Sequence, residues 1–409
     1  MSSSAIVDVT DNTATASPSY RWVILFGCWI AGVIGFIVRF AWSTASLPVS
    51  EALALPVVAL GTYVSAYFIG FILTSVAGGL LSDVYGGRKI ILVSVFALSI
   101  TTAAFAWTND YWIGYFLQLL MGLASGAEFA AGVKVLALWF KREERGRAMG
   151  IFMTASSIAL IGSNLIFPSF LARFGWQTLY IVLGAATVAS GLLCAAILRD
   201  APNPAQSDRS LLTRDLFLLA RNRNLILVSI GGFGSNWGKW GFAFWTNTLV
   251  VKGLGLTPAL AGSVVAAYGA AAIFAKPGVG LTSDLLMGGR RKTLAVVLML
   301  LSGTCLFVFG LQSAIYALYL WAILVGLSTF GSDPLITAMV PEAAGPDLAG
   351  SAAGVVAAIW LLGNTIVPIL VGYIFQQTNS MPLAFGMLAI GPILGAIAML
   401  GFVERPKER

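Results

Sequence analysis

The chain has 409 residues, of which 58% are apolar and 10% charged, with 24 Lys+Arg against 17 Asp+Glu and a net charge of +7. A soluble domain has about a quarter of its residues charged, so a water-soluble enzyme, a disordered protein and a single-span receptor are excluded. The lack of histidine, the three scattered cysteines Cys28, Cys194 and Cys305, and basic runs no longer than Arg290-Arg291-Lys292 also exclude zinc sites, histidine triads, a disulfide framework and a nucleic-acid partner.

Residues 1–20 carry Asp8 and Asp11 but no Lys or Arg, which reads as a disordered cytoplasmic tail rather than a signal peptide. Twelve spanning helices are predicted, at 22–47, 57–81, 90–107, 111–139, 149–171, 177–198, 223–251, 258–283, 293–311, 316–340, 350–375 and 383–403. The polar stretch 199–222 is a cytoplasmic linker between six-helix bundles at 21–198 and 223–403, and 404–409 is a cytoplasmic tail. With the N-terminus inside, eighteen Lys and Arg residues fall on the inner side and only Arg173 and Lys252 on the outer. That bias fixes the orientation and supports the count of spans.

Gly79-Leu-Leu-Ser-Asp83-Val-Tyr-Gly86-Gly-Arg88-Lys89 recurs 201 residues later as Gly280-Leu-Thr-Ser-Asp284, followed after one extra residue by Arg291-Lys292. The fold class is therefore an all-α membrane protein, twelve transmembrane helices in two pseudo-symmetric six-helix bundles, with a substrate site expected between the repeats near the midplane. On these residues the whole chain resembles the major facilitator superfamily. Gly79, Asp83, Gly86, Arg88 and Lys89, with Asp284 and Arg291 in the second half, match that family's loop motif, which implies a cytoplasmic gating latch; Val84 stands where a basic residue is usual.

Six charges remain inside the spans: Arg39, Lys134, Lys239, Lys276, Glu128 and Asp333. Each costs about 2.5 to 3.5 kcal/mol on insertion scales. Lys134, five residues from Trp139, snorkels to the inner surface, whereas Lys276 is intermediate in depth. Arg39 precedes Asp83 by 44 residues and Lys239 precedes Asp284 by 45, so each half offers one cation on its first helix and, in Glu128 or Asp333, one acid on its fourth. The resemblance implies that these helices line a central cavity, so all four are expected to converge there, as a substrate site or as static ion pairs.

Trp42, Tyr67 and Trp240 supply flat apolar walls and Asn364 a buried amide, completing with Arg39 and Lys239 the expected substrate-binding set; Glu128 and Asp333 are the expected proton carriers. A cavity of net positive charge selects anions. Trp139-Phe140-Lys141-Arg142-Glu143-Glu144-Arg145-Gly146-Arg147-Ala148 further resembles a junction of the anion:cation symporter branch, with Lys141 in place of the usual Pro. The expected function is proton-coupled symport of a small organic anion, a carboxylate, in a bacterial inner membrane, with anion exchange and proton-driven efflux as alternatives. No catalytic residue, metal or cofactor is expected, the proton gradient being the driving force. The expected partners are the anion, protons and the lipid bilayer, with the chain a monomer.

Overall fold

The structure, a computed structural model, describes residues 19–200, 218–286, 291–345 and 348–404; within these helices the side chains of a few residues, Asp83 and Asp284 among them, are outside the described set. Most of both expected tails and of the linker also lies outside the described residues.

The described residues are helical throughout. In the first half α1 is Tyr20–Ala52, α2 Val57–Tyr85, α3 Gly87–Phe105 and α4 Tyr111–Trp139. Arg142–Ile197 runs on as one helical stretch that breaks at Gly175, φ 78° and ψ 169°, into α5 (142–174) and α6 (176–197). A side chain would be strained at that φ, so glycine sets the corner. The second half holds α7 Arg223–Leu254, α8 Pro258–Leu286, α9 Arg291–Gly310, α10 Ile315–Ala344, α11 Ala349–Thr378 and α12 Met381–Leu400. Where the chain needs a sharp start, side chains cap it: Asp110 accepts from Trp112 N at 2.8 Å before α4, and Asn222 from Leu225 N at 3.1 Å before α7.

Ten helices among the described residues are long and apolar enough to cross a membrane, counting the broken Arg142–Ile197 once. The segment that falls short is α7, because Ser235, Asn236, Lys239 and Asn247 dilute its hydropathy. It nonetheless lies in the centre of the molecule, with residues 241–250 all buried.

Lipid offers no hydrophobic drive for helix association, so close packing depends on small residues. A methyl group at Gly122 on α4 would overlap the carbonyl oxygen of Tyr67 on α2, and one at Gly326 on α10 would overlap that of Tyr268 on α8. The same crossing thus occurs in both halves, with its tyrosines 201 residues apart.

The ends of the bundle differ. We call proximal the end that holds Tyr20 and Leu400, and distal the other. Toward the distal end the halves touch: Val58 N donates to Gln376 Oε1 at 3.0 Å, Ser65 Oγ to the Thr365 carbonyl at 2.5 Å, and Asn247 Nδ2 to Asn164 Oδ1 at 2.7 Å. Ser46 and Thr248 hydroxyls add a bond of 3.2 Å between α1 and α7. Gly262 on α8 packs directly on the Asn164 backbone of α5. Toward the proximal end α5 and α8 part, and a cleft of about 970 Å³ separates residues 150–158 of α5 from 272–277 of α8. Hydrogen bonds thus tie the halves together distally, although a pocket lined by Leu47, Pro168 and Val251 remains there, while α5 and α8 diverge proximally.

Gly61 makes this asymmetry testable. A methyl there would strike the Pro368 carbonyl of α11, across the interface between halves. Gly61→Ala is expected to leave each bundle folded but to hold the distal ends apart, since overpacking of this kind costs about 1–3 kcal/mol. Spin-label distances between positions 58 and 376 should lengthen; an unchanged distribution would refute the assignment of this contact to the distal closure.

Candidate functional site

The charged residues at mid-depth are arranged differently in the two halves. Lys239, on the buried middle of α7, is 8% exposed and donates from Nζ to Asp333 Oδ2 on α10 at 2.7 Å. Asp333 keeps a quarter of its side chain open to the cavity side. Tyr268 donates from its hydroxyl to the Lys239 carbonyl at 3.0 Å, and Trp240 donates to Asn236 Oδ1 at 2.9 Å, which fixes the indole beside the ammonium. The chamber at Lys239, about 250 Å³, is lined by Phe40, Ser156, Ser157, Trp240, Tyr268 and Phe330.

Arg39 on α1 is 7% exposed and donates from Nε to the Tyr67 hydroxyl at 3.2 Å. Its guanidinium is enclosed by the rings of Phe36, Tyr67, Phe68 and Phe71, with centroids 4.4 to 5.6 Å away. Such cation–π contacts offset part of the cost of burial. Glu128 on α4, 4% exposed, lies against Gly35 of α1 and feels the Arg39 charge without forming an ion pair with it; its Oε1 has no hydrogen-bond partner among the described residues. Without a side chain at Gly35, the carboxylate fits between α1 and α4.

Lys239 and Asp333 are thus in contact, and Arg39 and Glu128 are neighbours. The two cations do not share a cavity. Arg39 borders a separate space of about 180 Å³ with Trp42, Val64, Tyr67, Gln118 and Phe244. Between the two spaces lies an aromatic layer: Phe40 stacks on Trp240 at 5.8 Å, and Phe68 meets both Trp240 and Phe244. Trp42 borders the Arg39 space, but its indole N–H is committed to the Leu60 carbonyl at 3.1 Å. Asn364 on α11 is fully buried and neither of its amide atoms has a partner among the described residues.

At the proximal end the motif residues bind within their own halves. Gly86, φ 86°, is the whole connection between α2 and α3. Arg88 N donates to Asp200 Oδ1 at 3.0 Å and its guanidinium to the Ala195 carbonyl at 2.9 Å, while Lys89 lies 5.7 Å from the Tyr85 ring. In the second half Glu404 Oε1 accepts from Arg291 N and Lys292 N at 2.6 and 2.7 Å, and Arg291 pairs with Glu342. The acid after the last helix of each half therefore caps the third helix of that half, where the helix dipole favours negative charge. A side chain at Gly79 would meet open space, while the Gly79 carbonyl accepts from Lys134 Nζ at 3.4 Å.

Sequence reasoning undervalued three groups: Tyr268, Ser157 and Lys276. Two sequence doublets mark the last. Lys276-Pro277 on α8 and Asp333-Pro334 on α10 each set a charge before a proline inside a helix, where a backbone hydrogen bond is lost and the helix loosens.

The geometry is that of two helical bundles enclosing charged cavities between them. The model of the Major Facilitator Superfamily matches residues 27–363 and 228–409. The chain belongs to that family. It is a membrane transporter and not an enzyme. A probable galactarate/D-glucarate transporter of Bacillus subtilis is 27% identical, over 95% of this chain and 93% of its own. A probable sulfoacetate transporter of Cupriavidus necator is 24% identical over 91% of both chains, and a probable nitrate/nitrite transporter of Mycobacterium tuberculosis 27% identical over 88% of both. Among solved structures, a bacterial homologue of the human lysosomal transporter Spinster, in an inward-facing and occupied conformation, superposes with a TM-score of 0.76 at 14% identity, covering 94% of this chain and 96% of its own.

Proposed function

We propose that this transporter carries a small organic anion, a carboxylate, together with protons across a bacterial inner membrane by alternating access, as a multi-pass monomer with both termini cytoplasmic. The observation that carries the reading is the 2.7 Å pair of Lys239 and Asp333 at the wall of a chamber between the halves. Protonation of Asp333 releases the ammonium to a substrate carboxylate, and loss of that proton returns the ammonium to Asp333, expelling the anion. Glu128, unpaired beside Arg39, is the second proton carrier. The cation excess inside the spans and the anions named for the relatives agree with this cargo. No cofactor enters the cycle, for the proton gradient supplies the work. The positive-inside bias makes the proximal end cytoplasmic, so the conformation described is inward-facing.

Proteoliposomes test this with D-glucarate, galactarate, sulfoacetate and nitrate under an imposed pH gradient. Accumulation of one of these anions, abolished by a protonophore, is the expected result. Uptake that needs internal counter-anion and ignores the gradient would favour exchange instead. Arg39→Ala is expected to remove binding of the transported anion, while Arg39→Lys keeps part of it, because the charge survives without the guanidinium fork. Unchanged affinity in purified Arg39→Ala would make Arg39 purely structural.

A further inference from the structure

Lys276 has no part in the cycle above, yet its placement is unusual. It lies on α8 two turns from Tyr268 toward the proximal end, half-buried, with no ion pair or hydrogen bond among the described residues. Among the described residues the Phe330 ring lies 5.5 Å from its Nζ. A cation–π contact offsets about 0.5–2 kcal/mol, less than the cost of placing an ammonium at this depth. The Asp333 carboxylate acts favourably on it from a distance but is itself paired with Lys239, so no direct contact among the described residues makes up the difference.

The surroundings indicate what does. Lys276 lines the proximal cleft of about 970 Å³ with Thr154 and Ser157 of α5. Ser157 also lines the chamber at Lys239, as does Phe330. Its hydroxyl makes no hydrogen bond among the described residues, so one uncommitted donor faces the junction of the two spaces. Lys239 and Asp333 are near enough to act on Lys276 electrostatically. Two basic groups, Lys276 and Lys239, thus line adjoining spaces, with the acidic Asp333 paired to Lys239.

We propose that Lys276 and Ser157 form a second anion-binding position, at the threshold of the chamber, where a substrate carboxylate is held between the proximal opening and Lys239. The inference rests on the reading of the cargo as an organic anion. The ammonium supplies charge and the hydroxyl a directed hydrogen bond. An anion leaving Lys239 as Asp333 deprotonates then passes to a second cation rather than directly into the cleft.

The test uses the full chain in liposomes, with the panel anion that the wild type transports fastest. Initial rates are measured separately from the proximal and distal sides by selecting each orientation. Lys276→Gln should raise the proximal-side KM roughly ten- to hundredfold, the loss of one charged hydrogen bond, and leave the distal-side KM within about twofold. Lys276→Arg should restore most of the affinity, and Ser157→Ala should reproduce a smaller part of the defect on the same side. A merely structural lysine would change both sides alike, and equal KM values in wild type and Lys276→Gln would overturn the proposal while leaving anion transport intact. All variants are compared in phosphatidylcholine with and without phosphatidylglycerol. A defect seen only with the anionic lipid would make a headgroup phosphate the occupant and overturn the proposal. If the wild type neither transports any panel anion nor is thermally stabilised by one, the anion reading and this inference fall together.

Discussion

Asp333→Asn is expected to reduce accumulation driven by a pH gradient to equilibrium, an inside-to-outside ratio near one, while exchange of labelled for unlabelled anion continues. Asparagine keeps the shape and one acceptor for the Lys239 ammonium, but it cannot exchange a proton. Breaking a buried ion pair by removing one charge costs about 3–5 kcal/mol; here the exposed quarter of the Asp333 side chain reduces that, because water reaches the site. The variant should therefore insert and fold. Glu128→Gln and the double variant complete the series, since Glu128 is the other acid within the spans. If all three still concentrate the anion in response to the gradient, neither acid couples the cycle, and the Lys239–Asp333 contact is a static tie between α7 and α10.

The largest effect on stability is expected at Gly122. Overpacking usually costs about 1–3 kcal/mol because a side chain can turn away, but here the added methyl meets the backbone carbonyl of Tyr67, which has no rotamer to change. Gly122→Ala must push α2 from α4 along their whole crossing. That also moves the Tyr67 hydroxyl away from Arg39. The expected result is loss of a monodisperse peak in detergent, or a melting temperature lowered by several degrees together with weakened anion binding. Gly79→Ala, where nothing lies within contact distance, is the control and should behave as wild type; equal stability of the two variants would refute the close-crossing argument.

Most of the architecture was legible because a bilayer imposes length and polarity on each element. The interval from one basic turn to the next is set by membrane thickness, so the span limits followed to within a few residues at most ends. Two features escaped for physical reasons. The expected two helices are separate, but the turn between them shrinks to Gly175 and α5 begins as early as Arg142, and α1 continues past Pro48 to Ala52. At the site, the repeat correctly singled out Lys239 and Asp333 as partners in one half. It could not show that Arg39 lies among four rings, near Glu128 but without an ion pair to it, because the repeat aligns backbone positions while rotamers and neighbouring aromatics decide contacts. Lys276 was harder still. Its depth was readable, but the cleft that gives it meaning exists only where α5 and α8 diverge.

The hydrogen bonds that join the halves at the distal end, five among the described residues, involve amides, hydroxyls and a backbone carbonyl, with no charged group among them. Each has a net worth of about 0.5–1.5 kcal/mol once water competes, and neither salt nor pH alters it directly. One pH unit across the membrane is worth about 1.4 kcal/mol per proton, and 100 mV about 2.3 kcal/mol per charge. A closure of this kind is matched in size to the force available to open it. In the proposed cycle, charged clasps at the same place would respond to the salinity and acidity of the medium at the distal end, whereas neutral ones leave the switching threshold to Asp333 and Glu128, the proposed proton carriers.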